Sequence, residues 1–507
     1  MAGIFDQLGL RDVDPRRRFV EIVGGRRLTY ADLFDETARL ANALTGYGVK
    51  RGDRVAVQVE KSVEAVLLYL ACARAGAVFL PLNTAYTLAE LEYFIGDAAP
   101  ALIVATPDRV EATASLAAAA GDARIASLGD DGESGTLLEQ ARCASADFED
   151  GAIADDDLAA ILYTSGTTGR SKGAMLTHAN LASNALTLKD AWRFTADDTL
   201  IHALPVYHTH GLFVAVNTIL AAGASMLWLP AFDPRHVISC LPYATAFMGV
   251  PTYYTRLLAD RSLTREMAST MRLFTSGSAP LLSETHREFT ARTGHEILER
   301  YGMTETNMIT SNPYDGPRVP GSVGPALPGV AVRIADPETG ALVAQGEIGV
   351  IEVKGPNVFK GYWRMPEKTA QEVRADGFFI TGDLGVMDAA TYVSIVGRGK
   401  DLIITGGLNV YPKEVESEID ALDGVIESAV FGAPHPDFGE GVTAVIVARA
   451  DAVLDEAGVI AALRPRLAAF KLPKRVLFEP ELPRNTMGKV QKARLRERFA
   501  GLYQAKG

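Results

Sequence analysis

The sequence predicts an α/β protein. A large N-terminal domain of βαβ subdomains carries a small β-barrel and is followed by a small α+β C-terminal domain. Three observations carry this. Helical and strand periodicities alternate through the first hundred residues, as in a mostly parallel sheet covered by helices. From Gly321 to Gly361, short β-rich runs are broken by Pro and Gly. After about Gly397 a new run of helices and strands begins, which divides the chain into 1–397 and 398–507. A chain of 507 residues suits about three or four domain-sized units. It can bury a large core without staples.

The elements follow in order. Leu33, Thr37, Leu40, Ala41 and Leu44 recur at helical spacing, and Gly46 is a stop. Val55, Val57 and Val59 alternate as in a strand. Ser62 caps a helix running to about Ala75, and Val78–Leu82 is a strand. Thr87 and Glu90 form a capping box that opens another helix, before a strand at Ala101–Ala105. Residues 121–157, rich in Ala, Gly, Asp and Ser, read as a surface excursion. Val330–Ile334 and Gly349–Val353 belong to a small antiparallel barrel or sheet. Further on, helices are expected near Lys413–Ala421 and Gly458–Ala469, and strands near Ser428–Phe431 and Thr443–Val447.

Composition narrows the function. Sixty-two acidic and 50 basic residues give a net charge of −12, which argues against a general binder of nucleic acid or anionic membrane. Cys72, Cys143 and Cys240 are far apart, so reduced thiols in a cytoplasmic protein are expected. The N-terminus shows no apolar leader. Leu212–Pro230 lacks charge and approaches spanning length. Asn217 and Gly223 interrupt it, so a buried helix followed by the strand Ala224–Leu229 is expected, with no membrane span.

A strand at Leu158–Tyr163 leads into Thr164-Ser165-Gly166-Thr167-Thr168-Gly169-Arg170-Ser171-Lys172-Gly173. Hydroxyls and closely spaced backbone N–H groups make an anion cradle, glycine lets phosphate approach, and Lys172 adds a point charge. Ser171 stands five positions after Gly166, so the spacing is not that of a P-loop NTPase. Gly439-Glu440-Gly441-Val442-Thr443-Ala444 precedes a strand instead of opening a helix, which excludes a Rossmann site.

Tyr163–Gly173 resembles the phosphate-binding motif of the adenylate-forming superfamily, which includes acyl-CoA synthetases, luciferases and peptide-synthetase adenylation domains. Four more of its motifs follow in order: Tyr301-Gly302-Met303-Thr304-Glu305, Thr381-Gly382-Asp383, Gly397-Arg398-Gly399-Lys400-Asp401 and Pro483–Lys489. The resemblance covers about residues 25–495. It implies ATP, Mg²⁺ and coenzyme A as cofactors. ATP would meet Thr164, Ser165, Gly166, Thr167, Thr168, Gly169, Lys172, Ser278, Tyr301, Thr304, Asp383 and Arg398. Tyr301 would pack on adenine, and Asp383 would accept hydrogen bonds from the ribose diol. Glu305 and Thr167 would hold the metal, which prefers oxygen ligands. Lys400 would be the hinge to the C-terminal domain. Gly406, Gly407 and Leu408 would lie along the CoA pantetheine, although Leu408 replaces the aromatic frequent there. Lys489 would be the catalytic lysine of adenylation, acting with Glu305, Thr304 and His208, and its acetylation by a lysine acetyltransferase, reversed by a deacetylase, would switch the enzyme off.

Arg300, just before Tyr301, stands where members of the superfamily that take coumarate or fatty acids often have glycine. A guanidinium there would fill and end the acyl tunnel. Burying it unpaired costs several kcal/mol, so a second carboxylate on the substrate is its expected partner. Glu299–Glu305 with His208-Thr209-His210-Gly211 resembles the malonyl-CoA synthetase branch, which implies malonate and CoA as substrates. His208 matches the histidine lining the acyl channel, and Ser276, Met303 and Arg256 are further substrate-binding candidates. His208 and His210 could share a metal, but Zn²⁺ needs three or four ligands and no second cluster stands out. A CoA ligase for methylmalonate, succinate or a short monocarboxylate is the alternative.

Overall fold

The computed structural model describes residues 3–119, 121, 123–164, 171–405, 408–485 and 488–503. The chain forms two compact units. One comprises Met1–Ala331 and Val353–Phe379, the other Val332–Glu352 and Ile380–Gly507. This division differs from the expected one at 397/398. The reason is that the strands of the β-rich region pair with one another, and Val393–Arg398 runs through a short turn straight into the C-terminal strands.

The first unit holds two mixed sheets. In the seven-stranded sheet, Arg54–Gln58, Val78–Pro81, Leu102–Ala105, Arg124–Ser127 and Leu158–Thr164 form the parallel part. Lys172–Thr177 and Gly361–Tyr362 extend it antiparallel. The helices covering it start where expected. Ser62 accepts from the Ala65 amide at the head of Val63–Ala75, and Thr87 and Glu90 close a capping box on Leu88–Ala98. Part of the expected surface excursion is ordered. Arg124–Ser127 is the sheet's edge strand, and Thr136–Cys143 is a helix that buries Leu137, Leu138 and Ala141.

The second sheet has eight strands. Thr199–His202, Ser225–Trp228, Ala246–Gly249, Leu273–Ser276 and Ile297–Met303 run parallel. Asn307–Ser311 closes one edge antiparallel, and Arg18–Ile22 with Arg27–Thr29 finishes the other. The uncharged stretch lies buried as a π-helix, His210–Val216, then the helix Asn217–Ala222 ending at Gly223. Asn217 is fully buried and donates to the Tyr69 hydroxyl. Among the described residues no helix is long and apolar enough to cross a membrane.

The other unit contains a four-stranded sheet, Ala331–Ala335, Gly349–Lys354, Phe379–Met387 and Val393–Arg398 in that order, the sheet form of the expected β-rich region. It also contains a five-stranded sheet built on the long hairpin of Val425–His435 with Gly439–Ala448. The expected helix at Gly458–Ala469 is shorter, Glu456–Leu463, because Pro465 follows and cannot supply a helical N–H.

Asp198 ties the starts of three central strands of the eight-stranded sheet together. Arg272 grips both its oxygens, Nε to Oδ1 at 2.7 Å and Nη2 to Oδ2 at 2.8 Å. The Thr245 hydroxyl and the Thr195 amide donate to the same carboxylate. Burial pushes this carboxyl up, but the Arg272 fork and the two further donors together hold it below the ordinary aspartate range. Asp198→Ala leaves Arg272 half-buried and unpaired, so a loss of about 3–5 kcal/mol is expected in urea unfolding at neutral pH. Because the folded value is depressed, this contribution is complete above the unfolded value of about 4 and disappears as pH falls below it. A variant as stable as the native chain at pH 7 contradicts the assignment.

Candidate active site

The parallel strands of the eight-stranded sheet deliver their C-terminal ends to one side, where open α/β sheets bind ligands. Arg300 lies in Ile297–Met303, opposite Ser311 of the antiparallel edge strand. It is 3% exposed, and Nε and Nη2 are buried with no hydrogen-bond partner among the described residues. A Cβ at residue 277 would come within 2.1 Å of Arg300 Nη1 and 2.5 Å of Cζ, so a side chain there would push the guanidinium out of this position. Burial pushes Arg300 down to about 9, with the Tyr254 hydroxyl opposing, which leaves it charged at neutral pH. Tyr254 is anchored by donating to the Thr275 carbonyl at 2.6 Å.

Of the two histidines in His208-Thr209-His210, His210 is the more deeply buried. Its ring is buried, with Nδ1 3.2 Å from the Ser278 Oγ and Nε2 without a partner among the described residues. Burial, then the Arg300 charge, then His208 and His202, hold it far below the ordinary imidazole value. Ser278 adopts φ +71, a left-handed backbone uncommon for serine. His208 is half-buried, and its Nδ1 accepts the His210 amide at 3.4 Å. The Ser276 hydroxyl is buried and unpartnered among the described residues, one residue from Gly277. Met303 is half-buried and pairs with Asn307, whose side-chain amide is buried with neither atom bonded among the described residues. Arg256 is exposed on the helix Pro251–Ala259, whose buried face carries Tyr254 instead.

A second cluster surrounds Glu305. Residues 304–306 form the turn between two paired strands, fixed by the Asn357 amide donating to the Thr306 carbonyl at 2.6 Å. Gly302 is required here, since a Cβ would sit 1.9 Å from the Asn307 carbonyl oxygen. Glu305 is 4% exposed, Tyr301 is buried and Thr304 half-buried. The Tyr362 hydroxyl lies 3.1 Å from Glu305 Oε1 and 2.6 Å from Glu372 Oε2. Lys172 donates to Glu372 Oε1 at 2.9 Å and lies 4.1 Å from the centre of the Tyr362 ring. Burial raises Glu305 above the ordinary carboxylate range and Glu372 adds to the rise, while its own amide, Tyr362 and Lys172 oppose it. Thr164 ends its strand half-buried. Ser165, Gly166, Thr167, Thr168 and Gly169 lie outside the described residues. Tyr362 and Glu372 escaped sequence reasoning. Neither stands in a run with a chemical signature, and both act by touching distant residues.

In the second unit Asp383 and Arg398 are cross-strand partners, with Arg398 Nε 3.0 Å from Asp383 Oδ1. The Asp383 amide donates to the Thr381 hydroxyl. Lys489 sits half-buried on a tight hairpin. Its amide donates to Asn485 Oδ1 and its carbonyl accepts from the Asn485 amide, both at 2.9 Å. Arg484 braces this hairpin by donating to the Gly488 carbonyl and pairing with Glu427. Leu408 is exposed on the short strand Leu408–Val410, while Gly406 and Gly407 lie outside the described residues. The Lys400 backbone forms the turn Gly399–Asp401, and its side chain is not described.

The description of AMP-binding enzymes matches residues 11–363, and that of the AMP-binding enzyme C-terminal domain matches 414–489. The chain belongs to the AMP-binding enzyme family. ATP-bound MatB from Rhodopseudomonas palustris is 60% identical, with a TM-score of 0.97 over 99% of this chain and 100% of that one. Feruloyl-CoA synthase from Amycolatopsis is 37% identical over 94% of this chain and 95% of its own length. The malonate–CoA ligase of Arabidopsis thaliana is 36% identical over 89% of this chain and 79% of its own.

The environment of His210 sets a measurable property. Its ring is expected to stay neutral from pH 6 to pH 8 in ¹³C-histidine NMR spectra, with His210→Gln supplying the assignment. A titration midpoint near the ordinary value of about 6.5 contradicts the buried, cation-facing placement.

Proposed function

We propose that this protein activates malonate with ATP to malonyl-AMP and passes the malonyl group to coenzyme A, releasing pyrophosphate and AMP. The observation that carries the malonate reading is the buried Arg300 guanidinium, two of whose nitrogens have no partner among the described residues. An arginine fork matches a carboxylate that takes no part in the reaction. His210 Nε2 and the Ser276 hydroxyl, also unpartnered among the described residues, are the next candidates for the same oxygens. Similarity to the Arabidopsis malonate–CoA ligase and to MatB supports this reading.

In the first half-reaction, a malonate oxygen attacks the ATP α-phosphorus and the bond to pyrophosphate breaks. Lys172 meets the outer phosphates, Tyr301 packs on adenine, and Asp383 accepts from the ribose hydroxyls, supported by Arg398. Glu305 fits Mg²⁺. It is a buried carboxylate beside a phosphate-type lysine, and this ion uses one or two carboxylates together with substrate phosphates. When bound, the ion offsets phosphate charge. Thr304 supports Glu305 from the same turn. Lys489 stabilises charge growing between the carboxylate and the α-phosphate. In the second half-reaction, the CoA thiolate attacks the acyl carbon and AMP leaves. Gly406, Gly407 and Leu408 are proposed along the pantetheine and Lys400 as the hinge between the two steps. The free thiols of Cys72, Cys143 and Cys240 suit a cytoplasmic enzyme.

Arg300→Gly should lower kcat/KM for malonate by about 100-fold or more, because a buried, hydrogen-bonded charge pair is lost. Methylmalonate and succinate should suffer with it, while acetate should not. A variant that keeps its malonate kcat/KM removes Arg300 from the site. A wild-type preference for acetate favours the monocarboxylate alternative.

Lys489→Ala should abolish pyrophosphate release yet spare thioester formation from supplied malonyl-AMP. Acetylation of Lys489 by a lysine acetyltransferase cancels the same charge and should reproduce this split, with deacetylation restoring the first step. Equal loss of both half-reactions overturns the assignment.

A further inference from the structure

The cluster around Glu305 contains an acid that none of the proposed steps uses. Glu372 is the last residue of the helix Pro366–Glu372, and Lys172 opens the strand Lys172–Thr177. They meet 200 residues apart at 2.9 Å, both half-buried. The sequence just before Lys172 resembles the family's phosphate-binding motif, so the lysine proposed to hold a polyanion already holds a protein anion. Two features make that contact exchangeable. Glu372 Oε1 also receives Lys368 at 2.9 Å, and Oε2 receives the Tyr362 hydroxyl at 2.6 Å. If Lys172 leaves, the carboxylate keeps two partners and is not left as a bare buried charge. Lys172 in turn rests on the Tyr362 ring at 4.1 Å, which keeps its ammonium nearby whichever anion it holds.

We propose that Glu372 is a positioning residue that occupies the phosphate-binding lysine in the empty enzyme and yields it to the ATP triphosphate. It keeps Lys172 from collapsing elsewhere between turnovers. It also competes with the triphosphate, which weakens ATP binding and hastens pyrophosphate departure. This inference rests on the reading of Lys172 as a triphosphate ligand.

The test is a double-mutant cycle on ATP affinity, measured by isothermal titration calorimetry with magnesium chelated so that Glu305 and its metal do not enter. Glu372→Gln keeps an acceptor for Tyr362 and removes only the charge. The expected result is ATP binding at least about fivefold tighter in Glu372→Gln, and a gain under about twofold when Lys172→Met is also present. Pyrophosphate, titrated in the same way, should tighten in parallel. Unchanged or weaker ATP binding in Glu372→Gln overturns the proposal. An equal gain in both backgrounds also overturns it, since Glu372 would then merely repel phosphate at a distance. If Lys172→Met alone leaves ATP affinity unchanged, the phosphate role of Lys172 fails first and takes the proposal with it.

Discussion

A guanidinium buried in an α/β sheet, with no carboxylate beside it among the described residues, is the constraint around which the first unit is arranged. Burying an unpaired cation costs several kcal/mol. The fold bears that cost with local devices. Gly277 removes the side chain that would strike Arg300, Tyr254 is pinned to a main-chain carbonyl beside it, and Ser278 accepts a left-handed backbone whose hydroxyl meets His210. Arg300 lies in one strand, Gly277 and Ser278 follow a second, and Tyr254 and His210 lie in helical segments that follow two others. The arrangement exists only because the parallel strands of the eight-stranded sheet finish on one side.

The same topology explains why the chemistry is distributed as it is. The turn carrying Glu305 directly follows the strand carrying Arg300, so the cation proposed to recognise the acid and the carboxylate proposed to face the phosphates are five residues apart on one hairpin. Asn357 and Gly302 fix that hairpin from opposite sides, one by donating to its carbonyls and the other by leaving space for the returning strand. Preorganisation of this kind keeps polar groups aimed before substrate arrives, which is what electrostatic catalysis requires.

The alternation of the first hundred residues was legible because helix caps and apolar periods are local, and Ser62, Thr87 and Glu90 do what their spacing demands. Arg300 and Glu305 stood out through the resemblance, Arg300 by standing just before Tyr301 where glycine is frequent and Glu305 by closing the Tyr301–Glu305 motif. The difference in burial between His208 and His210 was not legible, since it depends on which ring the start of the π-helix turns inward. Arg256 and Tyr254 differ by two positions on a short helix, enough to send one to solvent and the other toward Arg300. Tyr362 and Glu372 were invisible for a stronger reason. Their meaning lies wholly in contacts with Glu305 and Lys172, far away in sequence.

The two cations nevertheless differ in a way that fits their tasks. Lys172 carries a built-in carboxylate, while Arg300 has none among the described residues. A triphosphate brings several charges and can displace a single carboxylate from a half-exposed ammonium, so an internal partner there tunes affinity without blocking it. The distal end of a small acid brings one charge. An internal carboxylate on Arg300 would match it in strength and erase selection for a second acidic group. Discrimination comes from leaving a buried polar group unsatisfied by every ligand except the right one. On the proposed reading, the lack of a protein anion beside Arg300 among the described residues is what would let it favour an acid with a second carboxylate, and the left-handed Ser278 and side-chain-free Gly277 shape the space beside it.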